Sequence, residues 1–358
     1  MSNVNTVDSD SSLSPAISNP EDPADSTSRV VSTLRQLSES PEAGDAVSDE
    51  KTAFEKLAQY KPQDSKDETV RILESFIHNL PLESRKVIMK FINISDDHNI
   101  FDLAYHLRTA VLIPMKAEGG KTPQVTPLPF SATDITREIV ASEMTQSSSR
   151  NDQGRLKTAC LQRDNYKCVV TKIWDPVAVS TFNIQGAMTL RTQLAHIIPF
   201  SMGHWENEWK EKEIAQCWET LYLLFPSIKD IIMPTTVNTP ANAMTMAVPV
   251  HQDFGSFQIA FTPTDKENTY RIKVYPGHQT FFGQYYAKPI TFTKNSASAS
   301  ELPSKDLLKM HAAIAEILQA SGQGEKIDEL LRKWDDIRCL ASDGSTDLES
   351  LLSLVSVH

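Results

Sequence analysis

Residues 194–200 read LAHIIPF, and residues 238–257 read NTPANAMTMAVPVHQDFGSF. In the first stretch His196 sits in a short apolar run closed by Pro199. The second supplies Asn242 and, after eight intervening residues, His251. The apolar run at 189–200 reads as a strand with His196 near its exit, and 243–246 read as a second short strand. Pro249 suits the first turn of a helix, where its missing N–H costs nothing. That places His251 in the first turn of a helix that follows the second strand.

These residue types carry a definite chemistry. A neutral imidazole with an ordinary pKa near 6.5 can take a proton from water at physiological pH. An imidazole nitrogen is also a sound ligand for Zn, Ni or Mn. A loop asparagine holds its surroundings through backbone hydrogen bonds.

Outward from this centre, residues 152–165 (DQGRLKTACLQRDN) read as a short helix, and YKCVVTK at 166–172 as a β-rich strand. Residues 203–225 are helical, with Trp205, Trp209, Ile214 and Trp218 as apolar contacts. Residues 257–276 (FQIAFTPTDKENTYRIKVYP) predict a hairpin. Phe257, Ile259 and Phe261 alternate on one arm, and Ile272 and Val274 on the other. An amphipathic helix follows at 304–319 through Leu307, Leu308, Ala312, Ile314, Ala315 and Leu318. A further helix covers 325–340, and a short final element 341–358.

The N-terminal side differs in composition. Residues 1–50 are rich in Ser, Asp, Glu and Pro and are expected to stay disordered, since they bury too little to offset chain entropy. Residues 51–118 form a helical unit. Its stripes run through Val70, Leu73, Phe76 and Ile77, then Val87, Ile88, Phe91 and Ile92, then Leu103, Leu107, Val111 and Leu112. Residues 119–150, with Gly119, Gly120, Pro123, Pro127 and Pro129, read as a linker. No internal repeat is visible.

The chain of 358 residues carries a formal charge of −11, which sits badly with a nucleic-acid-binding surface. The excess is local, however. Residues 1–50 hold ten acids against Arg29 and Arg35, a net of −8. Residues 151–295 hold fourteen Lys/Arg against twelve Asp/Glu, a net of +2. Cys160, Cys168, Cys217 and Cys339 form no CxxC pair, which argues against a zinc ribbon and a disulfide framework. No apolar run reaches the roughly 18–20 residues of a membrane span. No basic-then-apolar leader is present, and an intracellular place, nucleus or cytoplasm, is expected.

The motif strings RLKTACLQRDNYKCVVTK (155–172), LAHIIPF, NTPANAMTM and VPVHQDFGSF, in that order, resemble the HNH nuclease domain found in many fungal proteins. The resemblance spans about 155–345. It implies an α+β fold: a ββα-metal core with an added β-hairpin, flanked by helical N- and C-terminal segments. The expected division is 1–50 acidic tail, 51–118 helical unit, 119–150 linker, 151–295 nuclease domain and 300–358 C-terminal helices. It also implies a metal-dependent endonuclease that hydrolyses DNA phosphodiester bonds with little sequence specificity. By resemblance His196 is the general base, Asn242 braces the loop carrying it, and His251 binds a divalent ion (Mg, Mn, Ni or Zn). His196 is expected at the edge of a cleft, facing His251 across room for a metal and a water. DNA is the implied partner, held by its phosphates, with Arg155, Lys157, Arg163, Lys167 and Lys172 as candidate contacts. No membrane partner is implied.

The chain departs from that family at two places. Many HNH domains carry a metal-binding aspartate just before the first histidine, where this chain has Ala195. Many carry an acid or histidine four residues after the last histidine, where this chain has Gly255. Asp253 is two residues on and points elsewhere on a helix. Asn242 follows His196 by 46 positions, so a long insertion lies between them. That insertion offers Glu206 or Glu208 as substitute ligands, and His204 lies close to the strand exit. The alternatives are a weakly held Mg²⁺ with mostly water and phosphate ligands, or a degenerate module that binds without cutting.

Overall fold

The structure, a computed structural model, describes residues 23–39, 46–117, 150–205, 207–277 and 281–338. The N-terminal part is helical: α1 (Pro23–Glu39), α2 (Ala46–Gln59), α3 (Thr69–Asn79), α4 (Leu82–Ile94) and α5 (Asp97–Leu107). Arg108–Leu112 widens to π geometry and runs on into α6 (Ile113–Lys116). The apolar stripes point inward, and Leu73, Phe76, Ile77, Ile88, Ile92, Leu103, Leu107, Val111 and Leu112 are all buried. Asp96 starts α5 by accepting a hydrogen bond from Asn99 N, which satisfies one of the free N–H groups of the first turn.

Two expectations fail here. Residues 1–50 are not simply an unfolded tail, because α1 and the start of α2 lie within them. Val30, Val31 and Leu34 of α1 are buried. Their stripe is short and set among Ser, Thr and acids, so average composition hides it. Residues 1–22 lie outside the described residues, as do 118–149, where the linker was expected, and the final element at 341–358.

Helix α7 (Arg150–Arg163) leads into residues 166–172, where the expected strand is absent. YKCVVTK is a tight turn, not a strand. Asn165, Tyr166 and Lys172 have φ of 55°, 57° and 59°, which breaks any extended run. The chain folds back with Lys172 N donating to Cys168 O, and Thr171 N lies 3.4 Å from Cys168 Sγ. Its β-rich composition reflects burial instead, since Cys168, Val169 and Val170 are all buried.

Then come α8 (Pro176–Phe182), β1 (Thr192–His196) and α9 (Glu208–Leu224). Trp218 and Ile214 of α9 are buried, and the Trp209 side chain lies outside the described residues. After α9 follow β2 (Ala243–Ala247) and α10 (Val248–Gly255). Strands β1 and β2 are antiparallel, from Thr192↔Ala247 to His196↔Ala243, and α10 packs on both. The expected hairpin forms from β3 (Ile259–Pro263) and β4 (Thr269–Val274). Val274 is 40% exposed, so Tyr270 and Ile272 are the core residues of that arm. After α11 (Gly283–Tyr286) a third strand, β5 (Ile290–Thr291), pairs with β4.

Helix α12 (Lys305–Ser321), capped by Ser304, lies against both α3 and β3. It is followed by α13 (Gln323–Arg338). One continuous cluster of buried side chains runs from Phe76 and Ile92 through Trp218 and Leu221 to Phe254, Phe261, Leu308 and Ile314. The helical N-terminal part, the two sheets and the C-terminal helices therefore share a single core, which fixes β1, β2 and α10 from behind. No helix among the described residues is long and apolar enough to cross a membrane.

Candidate functional site

The β1 exit, the β2 entry and α10 meet at one place, and Asn242 holds it together. This residue is fully buried. Its Oδ1 accepts from Ile198 N at 2.8 Å, and its Nδ2 donates to Ile198 O and Val237 O, each at 3.0 Å. Its own carbonyl accepts from Ile197 N at 2.8 Å. The segment after β1 is thus sewn to the segment before β2. Every one of these groups is away from water, so losing the amide strands partners at about 1–3 kcal/mol each.

His196 ends β1 and is half-buried. Its Nε2 lies 3.0 Å from Asn238 Oδ1. An amide oxygen only accepts, so Nε2 carries the hydrogen and Nδ1 keeps its lone pair. Burial lowers the pKa of His196 to about 4. The Asn238 bond works against this, and the nearby charge of His251 adds to it.

His251 is the fourth residue of α10. Its Nδ1 lies 2.8 Å from Gln193 Oε1 on β1, so Nδ1 donates and Nε2 is left bare. Burial lowers its pKa as well. Ring contacts extend outward, since Phe200 lies 6.2 Å from His196 and stacks on His204 at 5.5 Å. His204 is thus one ring removed from His196.

Ala195 is fully buried opposite Met244. Asp253 Oδ2 accepts from the Tyr286 hydroxyl at 2.5 Å. Glu208 is exposed at the start of α9, and Glu206 lies outside the described residues. Among the described residues no group of three or more His, Cys, Asp or Glu side chains is arranged to hold a metal. The imidazole nitrogens left bare by these bonds are His196 Nδ1 and His251 Nε2.

Arg163 is a correction to the expected phosphate contacts. It is fully buried, and its five N–H groups are spent internally. Nε and Nη2 grip the two Asp164 oxygens at 2.8 and 3.0 Å. Nη1 donates to Pro240 O and Glu301 O, each at 2.8 Å, and Nη2 also donates to Ala243 O at 2.9 Å. It ties α7 to both sides of Asn242 and has no donor left for a ligand. Arg155 and Lys157 are exposed. Lys167 lies over the Trp174 ring, 3.9 Å from its centre.

Sequence reasoning missed Asn238 and Gln193. A polar amide carries no signal of its own, and only the fold brings each to a histidine.

Residues 168–262 match the family model described as HNH endonuclease. No curated protein and no solved structure matches the chain. The matched span opens at the Cys168 turn, closes in β3, and contains His196, Asn242 and His251. Over that span the chain is similar to HNH endonucleases.

Proposed function

We propose that the chain is a metal-dependent endonuclease that hydrolyses DNA phosphodiester bonds with little sequence specificity, on a ββα-metal core made by β1, β2 and α10. The observation that carries this reading is the pairing of two imidazoles on adjacent elements. Each is held by an amide oxygen at one ring nitrogen and leaves the other nitrogen bare.

His196 Nδ1 takes the proton of an attacking water. The water oxygen bonds to phosphorus, and the bond from phosphorus to the leaving sugar oxygen breaks. The products are a phosphate monoester and an alcohol, the leaving oxygen being protonated from solvent. With its pKa near 4, His196 is neutral at pH 7 and competent to accept. An anionic phosphate beside it favours the imidazolium and raises its basicity as substrate binds. Asn242 keeps the loop after His196 in place, which preserves the in-line geometry. His251 Nε2 would hold the divalent ion. Bound there, such an ion supplies positive charge to the leaving oxygen. One protein ligand suits an ion that keeps most of its waters and is completed by substrate phosphate.

The test is nicking of supercoiled plasmid with chelator, or with Mg²⁺, Mn²⁺, Ni²⁺ or Zn²⁺, beside His196→Ala and His251→Ala. Metal-dependent nicking lost in both variants is expected. A second reading, a module that binds nucleic acid or protein without cutting, is favoured by the buried Ala195 and the single anchor. No nicking with any metal, from folded protein, selects it.

A further inference from the structure

We infer that the chain carries a binding groove for unpaired nucleic acid, apart from the two histidines. It lies between the 164–174 turn and the 284–293 segment, and this inference rests on the reading of the protein as one that acts on DNA. The groove has a volume of about 830 Å³ and is lined by Lys167, Lys172, Lys288, Trp174 and Tyr285. Asp164 is the acidic residue of the lining, and the Arg163 guanidinium already neutralises it. A chain with a formal charge of −11 thus gathers three lysines around one cavity. Sequence hid the cluster, because Lys288 is more than a hundred positions from the other two.

The chemistry fits a single strand better than a duplex. Cations that follow a backbone, next to aromatic faces, are the parts used to hold unpaired strands. A duplex keeps its base faces stacked inside, so Trp174 and Tyr285 would gain nothing from it. Lys172 is placed by donating to Thr291 O at 3.2 Å across the groove. Lys167 stands over Trp174, so a phosphate bound to it lies next to the indole.

The groove is also fastened to the histidine site. Val169 N donates to Thr245 O, and Asp164 Oδ2 accepts from Thr245 N. Thr245 lies opposite Leu194, two residues before His196. The groove wall is therefore two strand spacings, about 10 Å, from β1. An unpaired tail in the groove would keep a branched or frayed substrate beside the histidines.

The test uses the full chain in chelator, with fluorescein-labelled oligothymidylate and a labelled duplex of equal length, read by anisotropy. Oligothymidylate is expected to bind more tightly than duplex. K167E/K288E should weaken it ~tenfold and flatten the salt dependence by about 1.4 in log–log slope, two phosphate contacts on a single strand. Oligothymidylate should also change the indole emission, and Trp174→Phe should remove that change. If K167E/K288E proves unfolded, Lys288→Ala, a truncation of an exposed side chain, must weaken binding in the same direction. Unchanged affinity in a folded variant, or duplex binding as tight as single strand, overturns the groove. The two readings separate cleanly. Nicking that persists beside lysine-independent oligonucleotide binding removes the groove alone. Lysine-dependent strand binding without any nicking removes the nuclease alone.

Discussion

The Nε2 of His196 and the Oδ1 of Asn238 lie 3.0 Å apart, and that contact fixes which nitrogen of the ring can act as a base. An oxygen acceptor at Nε2 holds the hydrogen there and leaves Nδ1 bare. Asn238 is thus a positioning residue in the proposed reaction. Asn238→Leu removes the acceptor, so the ring samples both tautomers and orientations, and nicking should fall by roughly 10- to 100-fold. Asn238→Asp keeps an acceptor and adds a charge that favours the imidazolium. Its expected signature is an acid limb moved above pH 4 in the nicking profile, with neutral-pH activity retained. Equal loss in both variants, with no movement of the limb, would show that Asn238 only supports the loop.

A second expectation concerns stability against pH. Burial lowers the pKa of His106 to about 4 and of His311 to about 3. The unfolded chain titrates these near 6.5, so between 6.5 and 4 it binds more protons than the folded chain. Stability is therefore full above pH 6.5 and falls as pH drops toward 4, by up to about 1.4 kcal/mol per pH unit for each histidine. Glu213 opposes this, because burial raises its carboxyl to about 7. It is protonated in the fold from 4.5 to 7, and its contribution falls as pH rises. With His196 also lowered to about 4, three histidines outweigh one carboxyl. Urea melts at pH 7, 6, 5 and 4.5 should show declining stability, and His106→Gln should make the decline shallower. A flat series would disprove the assignment of these histidines as buried and neutral.

Much of this was legible because periodicity survives in sequence. The stripes of α3, α4 and α5, the β3–β4 hairpin and the placing of His251 after Pro249 all follow from local spacing. The backbone bonding of Asn242 was readable too, since a loop asparagine holds its surroundings through such bonds. Three features were not. The 166–172 turn has β-type residues because it is buried, and left-handed φ at Asn165 and Tyr166 leaves no mark in hydropathy. Helix α1 has too few apolar residues to outweigh its acidic flanks. Arg163 looked like a surface cation because its five acceptors come from residues as distant as Glu301.

Arg163 yields a direct prediction. Its five donors meet five acceptors, and two of these, Pro240 O and Ala243 O, flank Asn242. Arg163→Ala leaves Asp164 charged and buried without its partner, a loss of about 3–5 kcal/mol. Arg163→Lys should also be costly, since an ammonium has three donors and no planar fork. Urea midpoints well below that of the parent chain are expected for both. A lysine variant as stable as the parent would mean that the fork geometry contributes little.

The metal prediction follows from the poverty of the donor set. With His251 Nε2 as the single anchor in the proposed reaction, Asp253 engaged by Tyr286 and Ala195 buried, the ion would rely on water and on substrate phosphate. Half-maximal nicking is therefore expected at roughly millimolar Mg²⁺ or Mn²⁺, in the range of weak, flexible oxygen-rich sites. Brief exposure to chelator should abolish activity, and adding the ion back should restore it fully. Gln193→Leu removes the acceptor that holds His251 Nδ1–H, and should raise the metal requirement about 10- to 100-fold. His196→Ala instead lowers the maximal rate and leaves the metal requirement in place. Activity that saturates at micromolar metal and survives chelator would show that another side chain completes the site, with Glu206 the first to replace.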